Sequence, residues 1–229
     1  RAVSLYLRDS PMKTFYGIGM DYAWGRGSVG VFEKEVQRAG KTMAGTVFSP
    51  TGTKDFSTYI TKIRQSGADA VYLVLAGDDY NAFLAQAKQY RLDDKVKLLT
   101  EVVDLTSIRA VGDASVGLIG STRYAYTLDN PKNKAFVSDW QKEFGVVPDN
   151  NEGEQWQCCQ ILTAGIVKAG TTDIGPLRTA LETVAIDDIK GKVAMRACDH
   201  QVIQPGFIVR VTKHEGAAVP VPEVIATYP

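Results

Sequence analysis

The chain has 229 residues, of which 45% are hydrophobic and 23% are charged, values typical of a soluble globular protein with one large domain or two small ones. Lys and Arg together number 26, as do Asp and Glu, so the basic excess of a nucleic-acid-binding protein is absent. No apolar run approaches the roughly 20 residues that span a bilayer, and no signal peptide is present.

The first half of the chain alternates between predicted strands and predicted helices. Residues 1–8 have the apolar spacing of the end of an amphipathic helix. Strand-like runs follow near Phe15, Met43, Ala70 and Lys97, at intervals of 27 or 28 residues, which is the length of one βα unit. A fifth strand is predicted at residues 116–121. This alternation indicates an α/β fold with a parallel sheet covered by helices on both faces.

Polar residues mark the predicted helix starts in this half. Thr53 or Asp55 can cap a helix beginning at Phe56. Asp78 and Asp79 stand at the start of the next helix, where negative charge meets the positive end of the helix dipole. Capping is the default role for these residues, and a ligand contact is the alternative.

The pattern changes after Thr122. Three helices are predicted at residues 131–144, 154–168 and 175–184 without a strand between them, and two strands follow at residues 191–196 and 207–212. Helices with aromatic faces need a sheet to cover. We therefore predict one Rossmann-like lobe from residues 1–121 and about 206–229, and the remainder of a second lobe from about 123–203. Most of that second lobe's sheet would be absent, and residues 121–126 and 201–206 would cross between lobes.

The three cysteines are Cys158, Cys159 and Cys198. Their spacing is not that of a zinc site, and adjacent helical residues point about 100° apart, which disfavours a bond between Cys158 and Cys159. We predict buried core thiols. The alternative is a disulfide from Cys198 to Cys158 or Cys159 in an oxidising compartment.

Cofactor binding and catalysis have weak sequence support. Residues 25–30 form a literal GxGxxG, but the acidic residue that a dinucleotide site needs at the end of the next strand is missing. His200 follows Asp199, which can orient it, yet no serine or cysteine stands on a nucleophile elbow. The sequence thus predicts no cofactor, no metal site and no enzyme, with an α/β enzyme that uses His200 as a lesser alternative.

Aromatic residues follow the first strand, where ligands bind in open α/β sheets. We predict that Tyr22 and Trp24 lie in a loop there and wall a small ligand. If the two rings point apart, one packs under the loop and the other faces the cleft. Glu101 ends another strand and can pair with a ligand ammonium; the alternative is a solvated turn acid.

Three segments together carry a family resemblance. They are D-Y-A-W-G-R-G after the first strand, residues 53–71 with K-I-R-Q-S-G-A-D-A-V, and the late segment G-K-V-A-M-R-A with D-H-Q. They resemble, in order, segments of type I periplasmic solute-binding proteins of the branched-chain amino acid transporter group. The resemblance implies two Rossmann-like lobes joined by three crossovers that close on a ligand, and an N-terminal lobe segment that this chain lacks.

The resemblance also implies site residues. The family's cleft tyrosine falls on Trp24, its second tyrosine falls near Ala76 and Gly77, where no aromatic stands, and its ammonium-binding acid falls near Glu101. A missing tyrosine widens the pocket, so a bulkier or aromatic ligand becomes an alternative to leucine. The predicted ligand-binding residues are Tyr22, Trp24, Ala76, Gly77, Asp78, Glu101 and Tyr124.

The function that follows from the resemblance is a non-enzymatic solute-binding component of an ABC transporter. It would act outside the cytoplasmic membrane, anchored or free, as a monomer or weak dimer. It would capture an aliphatic amino acid or an aromatic carboxylate and deliver it to a membrane permease, without a nucleic-acid partner. A ligand-sensing regulator with the same fold is the second hypothesis.

Overall fold

The structure is a computed structural model that describes residues 2–228. The chain divides into two compact units. The first unit contains the residues up to Thr122 together with Ile208–Ala226, and the second contains Arg123–Phe207 and the residues from Thr227. The chain therefore leaves the first unit after Thr122 and returns to it at Ile208. The assignment of these units to the two lobes of a binding protein stays a prediction.

The first unit is built from repeated strand–helix pairs. Its elements are α1 (Ala2–Arg8), β1 (Thr14–Met20), α2 (Ala23–Arg38), β2 (Thr42–Ser49), α3 (Ser57–Gln65), β3 (Ala70–Val74), α4 (Gly77–Gln89), β4 (Lys97–Thr100), α5 (Leu105–Val111), β5 (Ile119–Thr122), β9 (Gly206–Thr212) and β10 (Val221–Tyr228). The predicted repeat of 27 or 28 residues is confirmed, because β1, β2, β3 and β4 contain or begin at the predicted positions.

These strands form one seven-stranded sheet in the order β10-β9-β5-β4-β3-β1-β2. The pairs β1–β2, β1–β3, β3–β4 and β4–β5 are all parallel, as the βα alternation predicts. All of β3 and nearly all of β1 are buried, as is typical of parallel strands covered on both faces. The carboxyl ends of β1, β3 and β4 consequently lie side by side at one edge of the sheet.

Aromatic packing joins α2 to the sheet. The apolar stripe of α2, Val29, Phe32 and Val36, is buried. The ring of Phe32 stacks on Tyr72 of β3 at a centroid distance of 4.0 Å and meets Phe15 of β1 edge-on at 5.8 Å. Such pairs stabilise the fold beyond their buried area, so α2 is held firmly over the centre of the sheet.

Carboxylates hold the loops before the helices. Asp55 accepts a hydrogen bond from the Ser57 backbone N–H at 2.8 Å, so the prediction that Asp55 caps this helix is confirmed. Asp79 is buried and accepts from the Gly52 backbone N–H at 2.9 Å, which ties the loop after β2 to α4. A missed element, α5, is capped by Asp104, which accepts from the Ser107 N–H at 2.7 Å.

The second unit is smaller and of a different design. Its elements are α6 (Pro131–Phe144), α7 (Asn150–Ala169), α8 (Ile174–Leu181), β6 (Ala185–Asp188), β7 (Gly191–Met195) and β8 (Val202–Ile203). The three strands form an antiparallel sheet in the order β6-β7-β8. Its core centres on Ile161, Val184 and Val193. The predicted helices are confirmed, whereas β6 and β8 were not predicted.

The long helix α7 buries the wrong kind of residue for a simple amphipathic helix. Its buried residues are Asn150, Gly153, Gln157, Ile161 and Gly165. At Gly153 a side chain would collide with the ring of Tyr124, so only glycine fits. On other faces of the helix, Trp156, Leu162 and Val167 are exposed, Val167 by 77%.

A buried ion pair joins three segments of this unit. The Lys190 side chain is 1% exposed and contacts the Glu154 carboxylate. Lys190 Nζ also donates to Gln204 Oε1 at 2.7 Å, and Arg123 Nε lies 3.9 Å from Glu154 Oε2. Burial lowers the pKa of Lys190, while Glu154 opposes that shift. Glu154 of α7 thus connects segments at both ends of the second unit's main stretch.

The prediction of buried cysteines is wrong. Cys158, Cys159 and Cys198 are all exposed and free. Cys158 and Cys159 lie on α7 beside Gln157, the residue that takes the buried position on that helix. The apolar character of the pair therefore faces outward, and the alternative of a disulfide with Cys198 is not formed either.

Candidate functional site

The candidate site begins where β1 passes into α2. Tyr22 is the N-cap of α2, and Trp24 stands in the first helical turn rather than in a loop, so the predicted loop is wrong at this residue. The helix begins early because Gly25 lies against the backbone of Met20, and any side chain at Gly25 would collide with it. The glycine therefore allows α2 to start directly against the end of β1.

The two aromatic rings at this helix start lie together. The ring centroids of Tyr22 and Trp24 are 5.9 Å apart and the planes are tilted by 37°, so the prediction that the rings point apart is wrong. Tyr22 is 44% exposed and Trp24 is partly buried. Nearby, Arg26 Nε donates to Asp21 Oδ1 at 2.6 Å. The pair of rings forms one small aromatic surface at the sheet edge.

Glu101 directly follows β4 at the same edge. Its carboxylate accepts a hydrogen bond from Ser28 Oγ at 3.0 Å, and its backbone is fixed by bonds with Leu73 and Ser121. Burial raises the pKa of Glu101, while the hydroxyl of Ser28 and the indole of Trp24 act in the opposite direction. The alternative of a fully solvated acid is therefore wrong, because the carboxyl group is partly desolvated.

One oxygen of this carboxylate stands out. Glu101 Oε2 is buried and has no hydrogen-bond partner within residues 2–228. A buried carboxylate oxygen without a partner costs free energy, and such groups mark functional sites when they face a cavity. Glu101 is thus poised to accept a hydrogen bond from a bound molecule.

A cavity of about 330 Å³ adjoins these groups. It lies within the first unit and is lined by α1, α2, β3 and Glu101. The lining side chains and glycine are Val3, Ser4, Ala23, Trp24, Gly27, Ser28, Val31, Phe32, Tyr72 and Glu101. Its size matches a small organic molecule, and it combines aromatic walls with one carboxylate.

The remaining predicted site residues do not line this cavity. Ala76, Gly77 and Asp78 are exposed at the start of α4, at the same sheet edge, and Asp78 lies 3.9 Å from Lys54. Tyr124 is buried in the second unit, with its ring against Phe136 and Gly153. Of the seven predicted residues, the structure brings Trp24 and Glu101 together at one cavity, with Tyr22 beside Trp24.

Sequence reasoning missed Ser28, Phe32 and Tyr72 as cavity residues. Ser28 and Phe32 follow Trp24 at intervals of four residues, which places all three on one face of a helix. That signal was hidden because Trp24 was predicted in a loop. Tyr72 lies inside a buried strand, where a tyrosine is not distinguishable from a core residue by pattern alone.

The alternative site at His200 is not assembled. His200 Nε2 lies 2.9 Å from Glu182 Oε1, and Asp199 pairs with Arg196 rather than with His200. Within residues 2–228, no group of three His, Cys, Asp or Glu residues is placed to hold a metal ion. In the same range, none of the helices combines the length and the apolar character that crossing a membrane requires.

The fold and the sheet-edge site agree with a family match. Residues 1–217 match the model of the family described as periplasmic binding protein, and the chain belongs to that family. It is a type I member of the branched-chain amino acid transporter group, as the three sequence segments predict.

Two curated relatives are similar in sequence. The leucine-, isoleucine-, valine-, threonine- and alanine-binding protein of Pseudomonas aeruginosa is 28% identical over 177 residues, which is 74% of this chain and 45% of that protein. The Leu/Ile/Val-binding protein homolog 6 of Brucella suis is 28% identical over 144 residues, 60% of this chain and 36% of that protein. The chain therefore spans less than half the length of these relatives.

Solved structures share the fold. An ABC transporter substrate-binding protein from Sphaerobacter thermophilus superposes with a TM-score of 0.92 at 22% identity, covering 100% of this chain and 64% of that one. A solute-binding protein from Rhodopseudomonas palustris in complex with 4-hydroxybenzoate gives a TM-score of 0.87 at 22% identity, covering 99% and 63%. The similar proteins are thus ABC transporter substrate-binding proteins for amino acids and aromatic acids.

Proposed function

We propose that this chain is part of an extracytoplasmic solute-binding protein that captures a small amino acid or aromatic acid for an ABC transporter. The observation that carries the proposal is the Glu101 carboxylate, which is partly buried with one unpartnered oxygen beside an aromatic-walled cavity. That cavity lies at the sheet edge where α/β proteins bind ligands. The protein binds and releases its ligand without chemical turnover.

Each proposed site residue has a physical task. Trp24 supplies an apolar face for the body of the ligand, and Tyr22 extends that surface toward solvent. Glu101 accepts a hydrogen bond from the ligand's ammonium or hydroxyl group. Ala76, Gly77 and Asp78 contribute exposed backbone and charge at the same sheet edge. Tyr124 has no access to a ligand in this structure because its ring is buried.

The candidate ligands come from two relatives. The Pseudomonas protein is named for leucine and four other aliphatic amino acids or threonine-like residues, and the Rhodopseudomonas protein holds 4-hydroxybenzoate. Leucine and 4-hydroxybenzoate each carry one carboxylate and one hydrogen-bond donor, an ammonium or a phenolic hydroxyl. A site with one acceptor carboxylate and aromatic walls suits the donor and the apolar body of both.

We further propose that the two units belong to the two lobes of a closing binding protein and that a permease recognises the closed form. The exposed apolar face of the second unit supports this proposal, because helices of this kind pack on a sheet. That sheet would come from the full gene product, meaning this chain with any flanking segments its gene encodes.

Mass spectrometry tests the lobe assignment. The full gene product is weighed under native conditions and again after denaturation. A denatured mass well above the 24.9 kDa of this chain supports an additional lobe segment, and extra native mass weighs a carried ligand directly. A denatured mass of 24.9 kDa contradicts the assignment.

Calorimetry of the full gene product with leucine and with 4-hydroxybenzoate tests the function. We expect one of them to bind, and Trp24→Ala to weaken it by about tenfold or more, because the variant removes the main apolar wall. Tyr90→Ala is the matched control, since Tyr90 is an exposed aromatic residue outside the cavity lining. Equal affinities of the two variants would contradict the proposed site.

A further inference from the structure

Ser28 holds the one charged group of the cavity. Its hydroxyl donates to Glu101 Oε1 at 3.0 Å, while Oε2 of the same carboxylate is buried without a partner within the described residues. Ser28 stands on α2 one turn after Trp24 and lines the same cavity. The serine therefore occupies one oxygen of the carboxylate and leaves the other for a different donor.

The chemistry of the lining favours one end of a ligand. The polar side chains around the cavity are the hydroxyls of Ser4, Ser28 and Tyr72, the indole of Trp24 and the carboxylate of Glu101, and no Lys, Arg or His lines it. A ligand carboxylate would meet the negative charge of Glu101 without a cation to offset it. A hydrogen-bond donor would instead satisfy the free carboxylate oxygen.

We infer that Ser28 is a positioning residue that keeps the Glu101 carboxylate ionised and turned toward the cavity, so that this cavity receives the donor end of the ligand. The donor is a protonated amine or a hydroxyl, and the ligand's own carboxylate lies outside the cavity. This inference rests on the proposed function. It adds the orientation of the ligand and a role for Ser28.

The protonation state of Glu101 explains why a donor is needed at position 28. Burial raises the pKa of Glu101, and the hydrogen bond from Ser28 opposes that rise. Without the hydroxyl, the carboxyl group would hold its proton to higher pH and would accept a hydrogen bond less well. Serine suits the position because its short side chain reaches Glu101 and still leaves the cavity open.

The positioning role is tested without any ligand. The pKa of Glu101 is measured by NMR titration of the side-chain carboxyl carbon in the full gene product and in its Ser28→Ala and Ser28→Thr variants. We expect Ser28→Ala to raise this pKa by about one unit and Ser28→Thr, which keeps the hydroxyl, to restore it. An unchanged pKa in a folded Ser28→Ala variant overturns the role of Ser28.

The orientation of the ligand is tested with two matched pairs of probes. Leucine is compared with 4-methylpentanoate, which lacks the amine, and 4-hydroxybenzoate is compared with benzoate, which lacks the hydroxyl. We expect the loss of the donor to weaken binding of the preferred ligand by about tenfold or more, and Ser28→Ala to reduce that ratio. The pair that shows the larger ratio distinguishes an amine from a hydroxyl.

Two outcomes separate this inference from the proposed function. Equal binding within both pairs overturns the proposed orientation while leaving the protein a solute-binding protein. Absence of binding by all four compounds overturns the ligand orientation and counts against the proposed function, whereas the titration of Glu101 still decides the role of Ser28 separately.

Discussion

The two units of this chain bury different chemistry. The first unit places an almost wholly apolar set of strands between its own helices, and its seven-stranded sheet is covered by them. The second unit buries Asn133, Asn150, Gln157 and Lys190 in its interior. It leaves Phe144, Trp156, Leu162, Val167 and Ile174 exposed. The polar residues of the second unit are thus inside, and several of its large apolar residues are outside.

This difference teaches how to separate a finished layer from one that is open. In the first unit, burial follows the apolar periodicity of each helix, as the stripe of α2 shows. In the second unit, α7 has contacts on one face and apolar side chains on other faces, which is the pattern of a helix with partners on two sides. We therefore expect the stability of the second unit to depend on its few buried polar contacts.

The largest effect is expected at the buried ion pair. Glu154→Ala leaves the Lys190 ammonium buried without its countercharge, and we expect the free energy of unfolding to fall by about 3 kcal/mol. Urea unfolding of the full gene product measures this change. The double variant Glu154→Leu, Lys190→Met removes both charges and is expected to be more stable than the single variant.

An exposed ion pair in the same unit provides the control. Lys132 and Asp187 lie 3.3 Å apart with side chains that are 54% and 59% exposed. Asp187→Ala is expected to cost less than about 1 kcal/mol, because water screens exposed pairs. Similar costs for Asp187→Ala and Glu154→Ala would show that the interior of the second unit does not depend on the buried pair.

A smaller effect is expected at the open face. Phe144 is 58% exposed in this structure. If a sheet covers this face in the full gene product, Phe144→Ala costs about 2 kcal/mol, the value of a buried aromatic side chain. Tyr90→Ala, on an exposed residue of the first unit, is expected to change stability by less than about 0.5 kcal/mol. A cost for Phe144→Ala as small as that of the control would contradict the proposed covering sheet.

The smallest effect is expected at Glu101 and depends on pH. Burial raises the pKa of Glu101, so the folded protein holds this proton more tightly than the unfolded chain does. As pH rises from the unfolded pKa through the folded pKa, stability from this group falls. Glu101→Gln cannot ionise, and we expect it to be more stable than the parent protein at pH 7 by less than about 1 kcal/mol.

That advantage should disappear below about pH 4, where the carboxyl group is protonated in both states. Thermal unfolding of both proteins at pH 4 and pH 7 checks the sign. Glu101→Gln is also expected to bind leucine or 4-hydroxybenzoate more weakly, since an amide is a poorer acceptor than a carboxylate. A variant less stable than the parent protein at pH 7 would show that the ionised carboxylate stabilises the fold.

Much of the fold was predictable because burial and periodicity coincide in the βα repeats. The helix α6 runs from Pro131 to Phe144, as predicted, and its start carries an Asn130 cap followed by proline at the first helical position. The missed elements lack such signals. The helix α5 has seven residues, β8 has two, and β10 contains a proline and begins directly after another, which counts against a strand.

The candidate site was predictable only in part. Glu101 and Trp24 were found because each stands at the end of a strand in the βα pattern. The placement of Trp24 in a loop was wrong because the N-cap residue, Tyr22, makes no side-chain capping bond, so no residue signals where α2 begins. The outward-facing cysteines of α7 were missed because an apolar residue type predicts burial only when its helix has a single partner.

The order of strands also affects how the protein is made. The neighbour of β5 in the sheet is β9, which begins at Gly206, more than 80 residues after β5 ends at Thr122. A ribosome needs on the order of ten seconds to add that stretch. During that time the backbone of β5 has an unpaired edge on the nascent chain. A molecular chaperone that shields sheet edges would have its main task in this interval, before the last two strands emerge and close the sheet.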